Sequence, residues 1–551
     1  MKKLYRLLPL VALFITSCEL ERNPYDQIAV DDLLSDPGSI QTATVGNYAL
    51  LKGNDGYDGW VDDLHRISEY AGDNVSLSGG TTDALFNLYN YQAIPTNYRV
   101  ARFWSNSYKI AVGTNKMIEL IPEGASEEED QLLGENYYLR ALVYFQMGNV
   151  FGKPYNQGGS NLSVPLKLTS ATDDRPDRNT VEEVYNQVIS DLLKAEALMN
   201  INRGASYASK EAAQALLSRV YLYKGDNILA QEYADKVINS GEYSLLGTST
   251  FKTMNTLRPD DNAEAIFAVT LSSESDLLAD GDDWWTIGSL YASIDGIGWG
   301  EMYASSSYLN LINQHPSDAR KAFISPQLLE DENGDEIPSI YWVNSSYTYE
   351  FRSITEANGN ITFSEDGTTY TVESEVDGDN TKYYFVGGNG KQYVNLGYDM
   401  EKRNGYPKFY ILKASLQEDD VHMWSPMVSR LAEMYLNKAE AYAKQGADQM
   451  ALDAINILRV RAEVPEYTLA NLPAGKTVLD VVLDERRLEL AYEGHRRYDV
   501  YRNGDTMNRR YPGTHLNGTN AYLEIEASNP RIIEYIPEQQ IILQPSLIQN
   551  D

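Results

Sequence analysis

Aromatic side chains in residues 282–303 are the strongest candidates for ligand binding in this sequence, and they include Trp284, Trp285, Tyr291 and Trp299. A flat aromatic face can cover the C–H side of a sugar ring, while the polar edges of Tyr and Trp suit a wet ligand. The glycines around Trp299 disfavour a regular helix, so we expect a loop. The stretch therefore predicts a glycan-binding surface, with packing of the tryptophans in a core as the alternative.

Polar side chains that could bind sugar hydroxyls lie upstream, in residues 73–83. Asp73, Asn74 and Asp83 belong to a polar stretch without helical or strand periodicity. Loops held on a rigid scaffold often carry binding residues, and we expect these three to contribute to glycan binding. The stretch leads into an aromatic cluster made of Phe86, Tyr89, Tyr91 and Tyr98.

Motifs for catalysis or cofactor binding are absent from the sequence, which has no HExxH, GxSxG, Walker or dinucleotide pattern. The five histidines, at 65, 315, 422, 495 and 515, lack the spacing of metal ligands. Acid pairs such as Asp282-Asp283 could serve a glycoside hydrolase, but the chain has 79 acids and a chance pair explains them better. We expect a binding protein without metal or cofactor, and a surface glycoside hydrolase is the enzymatic alternative.

Residues 484–505 form a highly charged segment, in which 12 of 22 residues are Asp, Glu, Arg or His. Apolar residues recur through it in rows that suit a helix facing a core, with a possible break at Gly494. Arg486 with Glu489, and Glu493 with Arg497, stand at the spacing of ion pairs along a helix. The segment predicts a structural helix rather than a catalytic site.

The N-terminus has the shape of a secretory signal, residues 1–17, with basic residues followed by a short apolar run. Ile15-Thr16-Ser17-Cys18 resembles a bacterial lipobox, in which the cysteine is lipidated. Acyl chains on Cys18 would anchor the protein to a membrane without spanning it, through a tether at 18–36. Glu19 and Glu21 resemble the surface-export signal of Bacteroidetes lipoproteins. No later stretch predicts a transmembrane helix.

Charge and composition narrow the possible partners. The formal net charge is −33, from 46 basic and 79 acidic residues, which argues against nucleic acid binding. The chain has 41 tyrosines and only 12 phenylalanines, a composition that suits polar, wet ligands and interfaces. Its single cysteine, Cys18, excludes an internal disulfide.

The remaining sequence divides into three parts. Residues 37–255 predict an N-terminal helical part, residues 256–425 a loop-rich and small β insertion that holds the candidate site, and residues 426–551 further helices and a tail. Within the insertion, Asn358-Gly359 and Asp366-Gly367 are hairpin signals.

An internal repeat flanks the insertion. Each copy has a tyrosine four residues before a glycine, and small or aliphatic residues five and nine residues after it. The copies are Tyr221, Gly225, Ala230 and Ala234, and Tyr442, Gly446, Ala451 and Ile455. This spacing resembles the tetratricopeptide pattern, in which two antiparallel helices pack closely across a tight turn.

Several segments resemble the SusD/RagB family of Bacteroidetes surface lipoproteins. The match rests on Asp484-Glu485-Arg486-Arg487 with Glu489-Leu490, on Glu493-Gly494-His495-Arg496 with Asp499, on Arg140-Ala141 with Tyr144, and loosely on Ile536-Pro537 and the last residues.

The resemblance implies a mainly α, SusD-like fold, in which tetratricopeptide-type helix pairs form a platform beneath the loop-rich and β insertion. It also implies an outer-membrane lipoprotein, facing outside, that captures oligosaccharides for a SusC-like TonB-dependent transporter. A RagB-like branch of the family captures peptides and is the alternative, although the aromatic residues at 282–303 favour a glycan.

Overall fold

The computed structural model describes residues 37–52, 59–272, 276, 286–377, 380–517 and 522–551. The expectations for residues 1–36, including Cys18, and for Trp284 and Trp285 lie outside the described residues.

Helices dominate the parts of the chain before and after the insertion. In chain order they are α1 (Pro37–Lys52), α2 (Trp60–Glu69), α3 (Leu85–Tyr89), α4 (Tyr98–Leu120), α5 (Glu127–Phe151), α6 (Val181–Leu198), α7 (Lys210–Lys224), α8 (Asn227–Ile238), α9 (Thr248–Phe251), α10 (Ile287–Tyr291), α11 (Ser306–Ile312), α12 (Leu431–Lys444), α13 (Asp448–Arg461), α14 (Val478–Glu489), α15 (Arg496–Arg502) and α16 (Glu538–Leu543).

The longer strands lie in the insertion, and short strands join distant parts of the chain. They are β1 (Val75–Leu77), β2 (Leu162–Pro165), β3 (Arg178–Thr180), β4 (Ala265–Ala268), β5 (Met302–Ala304), β6 (Ile324–Pro326), β7 (Pro338–Val343), β8 (Tyr349–Ser353), β9 (Thr355–Ala357), β10 (Asn360–Glu365), β11 (Thr368–Asp377), β12 (Asn380–Gly387), β13 (Gly390–Tyr398), β14 (Lys402–Arg403), β15 (Tyr406–Pro407), β16 (Phe409–Ile411), β17 (Met427–Arg430), β18 (Met507–Asn508) and β19 (Glu524–Ile525).

Local sequence signals explain where several helices begin. Helix α5 follows Ser126, whose hydroxyl accepts a hydrogen bond from the backbone N–H of Glu129, and its first turn is acidic. Helix α6 begins with a capping box, in which Thr180 and Glu183 each bond the other's backbone N–H. Both helices lie in the part of the chain, residues 37–255, for which the sequence predicts helices.

The two copies of the internal repeat are helix pairs that pack directly on each other. Pairs α7–α8 and α12–α13 are confirmed, and α8 lies against α12 although the insertion separates them in sequence. Ser218 on α7 donates a hydrogen bond to the Ala230 carbonyl on α8 at 2.8 Å, a close approach that small residues permit. Asn437 on α12 donates to the same Ser218 hydroxyl at 3.1 Å. The packing of α4 to α8, each on the next, completes a mainly α platform, as the family resemblance implies.

The predicted β insertion is an antiparallel sheet of seven strands in the order β8-β7-β13-β12-β11-β10-β9. Both predicted hairpins are present, and Asn358 and Asp366 adopt positive φ with the glycines that follow them, as tight two-residue turns require. The sheet curls far enough to bring β8, at one edge, close to β10, near the other edge. Arg352 on β8 donates a hydrogen bond to Glu365 on β10 through its Nε at 2.9 Å. The inner face has its own small core around Trp342, Phe363 and Phe385.

The charged segment forms two helices rather than one. Helix α14 ends at Glu489 and α15 begins at Arg496, and Tyr492 (φ 66°) and Gly494 (φ 80°) turn the chain between them. The buried carboxylate of Glu69 stabilises this turn by accepting the backbone N–H groups of Tyr492 at 3.2 Å and Gly494 at 2.9 Å. The break that the sequence predicts at Gly494 is thus confirmed.

The two ion pairs predicted within that segment are wrong, because Glu489, Glu493 and Arg497 pair with residues outside it and Arg486 pairs with Asp499. Glu489 contacts Arg430 at 2.7 Å and Arg461 at 2.5 Å. Glu493 also contacts Arg430, at 2.8 Å, whereas Arg497 contacts Glu534 at 2.9 Å. Ion pairs between residues three or four positions apart are typical of a helix that faces solvent. Helix α14 is instead largely buried, and its charged side chains meet charged groups of neighbouring elements.

One buried network joins five cations to five anions, and the 4.0 Å contact between Arg320 and Glu489 connects its two halves. Its members have at most 5% of their side-chain surface exposed and connect the insertion, the second helix pair and α14. They are Arg320, Lys413, Arg430, Arg459 and Arg461, with Glu264, Asp318, Glu485, Glu489 and Glu493. Equal charge of both signs makes this burial tolerable, since an unpaired buried charge is very costly. Asp318 and Arg320 therefore have a structural role as members of this network.

Candidate functional site

Two strongly exposed aromatic side chains line one cleft. Among the described residues, the aromatic side chains that are at least 40% exposed are Tyr98 (48%), Trp299 (40%), Tyr393 (47%) and Tyr398 (41%). Tyr98 and Trp299 lie on the walls of the same open cleft, which contains about 810 Å³ of space including its mouth. Exposed aromatic faces beside polar groups are the arrangement that sugar binding requires.

Segments that are far apart in sequence build this cleft. The loop before α3, the start of α4, helix α10 and the loop before β5 each supply side chains. Strands β1 and β5 pair antiparallel, with Val75 opposite Ala304 and Leu77 opposite Met302, and so bring the two loop regions together. The lining residues are Arg66, Thr81, Thr82, Asp83, Leu85, Tyr98, Arg99, Leu290, Trp299 and Glu301.

The backbone that carries Trp299 is held on both sides. The backbone N–H of Trp299 donates to the Ser289 carbonyl at 2.7 Å, and Arg403 Nη1 donates to the Trp299 carbonyl at 2.8 Å. Gly298 has a φ of +99°, and a Cβ there would lie 2.4 Å from Nε2 of His422. Only glycine fits this position without displacement. The Trp299 backbone is therefore fixed before any ligand arrives.

Asp83 is a predicted site residue that lines the cleft. Its carboxylate forms a two-pronged ion pair with Arg99, through Nε at 2.6 Å and through Nη2. Although partial burial favours protonation, hydrogen bonds and charge from Arg99 hold the pKa of Asp83 below its usual value. The Arg99 guanidinium also lies 5.2 Å from the ring centroid of Tyr98, so one charged cluster fixes this wall of the cleft.

Asp73 and Asn74, two further predicted site residues, are buried in the protein. Asp73 pairs with Arg496 at 2.7 Å and Arg487 at 3.3 Å. Burial alone would raise the pKa of Asp73, yet the charges of these two arginines lower it to about 2. Asn74 donates to Glu69 at 3.2 Å and accepts from Arg487 at 2.9 Å. The expectation that these two side chains contact a glycan is not supported, because contact would require breaking these bonds; they hold the loop to α14 and α15.

Tyr291 is also buried, with no exposed surface, and it lies in the core beside Tyr70 and Tyr492. Its hydroxyl bonds Nε2 of His65 at 2.8 Å. Core packing, the alternative considered for the aromatic stretch, thus describes Tyr291. Of the predicted site residues that the structure describes, Asp83 and Trp299 are the pair that it brings together.

Sequence reasoning missed Tyr98 and Arg99 as site residues. Tyr98 belongs to the aromatic cluster that follows the polar loop, but it is the first residue of α4 and its periodicity reads as helix. Asn97 is a helix N-cap type that places Tyr98 at the start of α4, but this signal does not indicate whether the Tyr98 side chain is exposed. Its proximity to Trp299, 201 residues later, depends on the β1–β5 pairing.

A second cavity lies in the interior, between α2, α5, α7 and the turn before α15, and contains about 630 Å³ of space. His65 and His495 both line it. Burial, with the nearby positive charge of an arginine, lowers the pKa of each histidine to about 3. Both are therefore neutral at physiological pH.

The described residues hold no cluster of three or more His, Cys, Asp or Glu side chains suited to a metal ion. In the same part of the chain, every helix is too short or too polar to cross a membrane.

Helix pairs that carry an open aromatic cleft define a ligand-binding protein with a helical platform. Residues 263–551, more than half of the 551, match the model of the SusD family. The chain therefore belongs to the SusD family, which confirms the resemblance seen in the sequence. Residues 54–222 match a second family model, described as starch-binding and associating with the outer membrane.

Individual relatives agree with this assignment. The chain is 25% identical over 496 residues to SusD-like protein P38 of Formosa agariphila, covering 88% of this chain and 86% of that protein. It is 26% identical over 432 residues to the starch-binding protein SusD of Bacteroides thetaiotaomicron, covering 72% and 69%. A crystal structure of a SusD superfamily protein from the same organism has a TM-score of 0.72 at 24% identity, covering 95% of this chain and all of that one, and shows the shared fold.

Proposed function

We propose that this chain is a surface-exposed lipoprotein that captures oligosaccharides and delivers them to a SusC-like TonB-dependent transporter. The observation that carries the capture step is the shared cleft of Tyr98 and Trp299, both strongly exposed. The names of the starch-binding relative and of the second family model support a carbohydrate ligand.

Capture needs a shaped surface rather than reacting groups. Trp299 and Tyr98 would contact the C–H faces of sugar rings, and the hydroxyls of Thr81 and Thr82 would bond sugar hydroxyls. A cleft whose aromatic walls are fixed beforehand loses little conformational entropy when it binds. No turnover chemistry is required, so we expect binding without release of reducing sugar.

The test of capture is binding of the purified protein to a broad panel of oligosaccharides by isothermal titration calorimetry. Trp299→Ala and Tyr98→Ala should each weaken binding about 30-fold, the effect of losing about 2 kcal/mol at a central aromatic contact. Tyr393→Ala and Tyr398→Ala are matched controls, because these tyrosines are equally exposed but lie on the insertion sheet, outside the cleft. They should bind like the unmodified protein.

Two results would overturn the capture proposal. Equal weakening by the control variants would show that the cleft is not the site, and hydrolysis of the bound glycan would make the protein an enzyme. A folded protein that binds peptides and no glycan would instead support the RagB-like alternative.

The membrane anchor rests on Cys18 and the apolar run before it. Labelled palmitate should enter the unmodified protein and not a Cys18→Ala variant, because the thiol is the acylation site. The labelled protein should fractionate with outer membranes, and protease added to whole cells should digest it if it faces outside. Unchanged membrane fractionation of Cys18→Ala would contradict the anchor.

The proposal of a transporter partner is supported by membership of the SusD family. The anchored protein should co-purify from outer membranes with a TonB-dependent transporter. Deletion of that transporter should stop uptake of the glycan that the cleft binds, while leaving binding at the cell surface. Uptake that continues at the normal rate would argue against delivery.

A further inference from the structure

Among the described residues, the charged groups that line the Tyr98–Trp299 cleft are equal in number for the two signs. Arg66 and Arg99 supply two positive charges, and Asp83 and Glu301 supply two negative charges. Glycans that carry carboxylates or sulfates are usually bound by arginines or lysines that have hydrogen-bonding capacity to spare. Whether this cleft can bind an anionic glycan therefore depends on whether its two arginines already pair with carboxylates of the protein.

Arg99 is committed on two sides. Its Nε and Nη2 contact the two oxygens of Asp83, the first at 2.6 Å, and its Nη1 lies 3.4 Å from Asp63. Parallel hydrogen bonds of this kind are the strongest form of an arginine–carboxylate pair. An anionic sugar would have to displace Asp83 to use this guanidinium, and would then lie close to the displaced carboxylate.

The other two lining charges, Glu301 and Arg66, lie near opposite charges. Glu301 pairs with Arg403 at 2.6 Å. Arg66 is buried, at 2% exposure, and its charge acts on the neighbouring carboxylates of Asp62, Asp63 and Asp83. Among the described residues that line it, the cleft thus presents two charges of each sign, and its two arginines are buried and offer little surface to an acidic sugar.

The charge of the whole chain acts in the same direction. A net charge of −33 repels an anionic polysaccharide as it approaches, most strongly at low ionic strength. A neutral glycan experiences no such barrier and meets a cleft with two exposed aromatic faces and two threonine hydroxyls.

We infer that the cleft selects neutral oligosaccharides and rejects those that carry uronate or sulfate groups. This inference rests on the proposed glycan-binding function and names the substrate class of the same site.

Matched polysaccharide pairs test the inference with the full-length protein, by affinity gel electrophoresis and calorimetry. The pairs are soluble starch and carboxymethyl starch, laminarin and laminarin sulfate, and dextran and dextran sulfate, with neutral xylan and mannan and anionic alginate and polygalacturonate beside them. A neutral polymer should bind at least about tenfold more tightly than its charged derivative. Its affinity should change less than about twofold between 50 and 500 mM NaCl, because few net charges meet in the complex.

Two variants test the mechanism of rejection. Asp83→Asn removes the main partner of Arg99 and should strengthen binding of the charged derivative about fivefold at low salt, an effect that 500 mM NaCl abolishes. Glu301→Gln removes the carboxylate partner of Arg403 and should likewise strengthen binding of the charged derivative. It should perturb the fold less than Asp83→Asn, because the Arg403 side chain is 38% exposed. Glu128→Gln, on the exposed first turn of α5, is the control and should leave the ratio of affinities unchanged.

Preferential or strongly salt-dependent binding of the anionic member of any pair, or of alginate or polygalacturonate, would overturn the inference while leaving glycan capture intact. Binding of no glycan of either kind by the folded protein would remove the proposed function and this inference together. A charged-glycan affinity that stays unchanged in both variants would refute the compensating role of Asp83 and Glu301.

Discussion

Substitution of Glu489 by glutamine is expected to destabilise the fold strongly, because Glu489 lies at the centre of the buried charge network. Its carboxylate contacts Arg430 at 2.7 Å and Arg461 at 2.5 Å, and Arg320 lies 4.0 Å away. Burial alone would raise the pKa of Glu489, but the charges of these arginines hold it well below its usual value. The carboxylate is therefore ionised in the folded state at neutral pH, and glutamine removes a charge that the fold needs.

The magnitude follows from the contacts that are lost. Glu489→Gln weakens two charge-assisted hydrogen bonds, each worth about 1.5–3 kcal/mol. It also leaves the network with five cations and four anions, all buried. Removing one partner of a buried pair typically costs about 3–5 kcal/mol, and we expect a loss in this range.

The assay is urea unfolding followed by tryptophan fluorescence, with the midpoint and slope compared between variants. Glu128→Gln removes an exposed charge and should change the free energy of unfolding by less than about 0.5 kcal/mol. The double variant Glu489→Gln with Arg461→Gln restores equal numbers of charges. It should therefore be destabilised by at least about 1 kcal/mol less than the sum of the single variants.

A loss below about 1 kcal/mol for Glu489→Gln would refute this reasoning, since it would show that water or rearrangement compensates the network. Strict additivity in the double variant would refute the direct coupling between Glu489 and Arg461.

Three further predictions concern single positions. His495→Gln should make the free energy of unfolding depend less on pH between 7 and 5. In the unmodified protein the pKa of His495 falls from 6.5 to about 3 on folding, so the fold loses stability as the pH drops below 6.5. The loss reaches about 2 kcal/mol at pH 5, and the variant should lack it. Urea midpoints at pH 7 and pH 5 measure this loss, and an equal change of midpoint in the variant and the unmodified protein would contradict the prediction. Gly298→Ala should weaken glycan binding about tenfold, because the added Cβ displaces Trp299. Gly296→Ala is the control, since Gly296 also has a positive φ but no atoms close to an added Cβ, and it should leave binding unchanged. Calorimetry compares the two variants. Thr180→Ala should cost about 1 kcal/mol in urea unfolding through its lost capping box, and an unchanged midpoint would contradict this.

Local features of the fold could be predicted from the sequence. The bounds of α5, the capping box of α6 and the turns at Asn358-Gly359 and Asp366-Gly367 depend on residues within a few positions of one another. Helix periodicity, cap chemistry and positive φ act over that same range, so the sequence expresses them directly. The repeat spacing extends this logic to a helix pair.

The choice of partners across the fold could not be predicted in this way. Arg430 pairs with Glu489 and Glu493, which follow it by 59 and 63 residues, and the helical spacing within 484–505 pointed to other pairs. Asp73 looked like a loop residue free to bind a ligand, yet Arg487 and Arg496 hold it in the interior. A charged side chain bonds whichever opposite charge the packing brings near, and packing is a property of the whole chain.

The sequence by itself determined the helical repeats, the β insertion, the family and the presence of Trp299 and Asp83 among the candidate site residues. Only the tertiary structure decided that Tyr98 joins Trp299 in one cleft and that Tyr291 belongs to the core. The physical reason is that exposure is set by what packs against a side chain. In the cleft, that depends on the pairing of β1 with β5, whose residues are more than 200 positions apart.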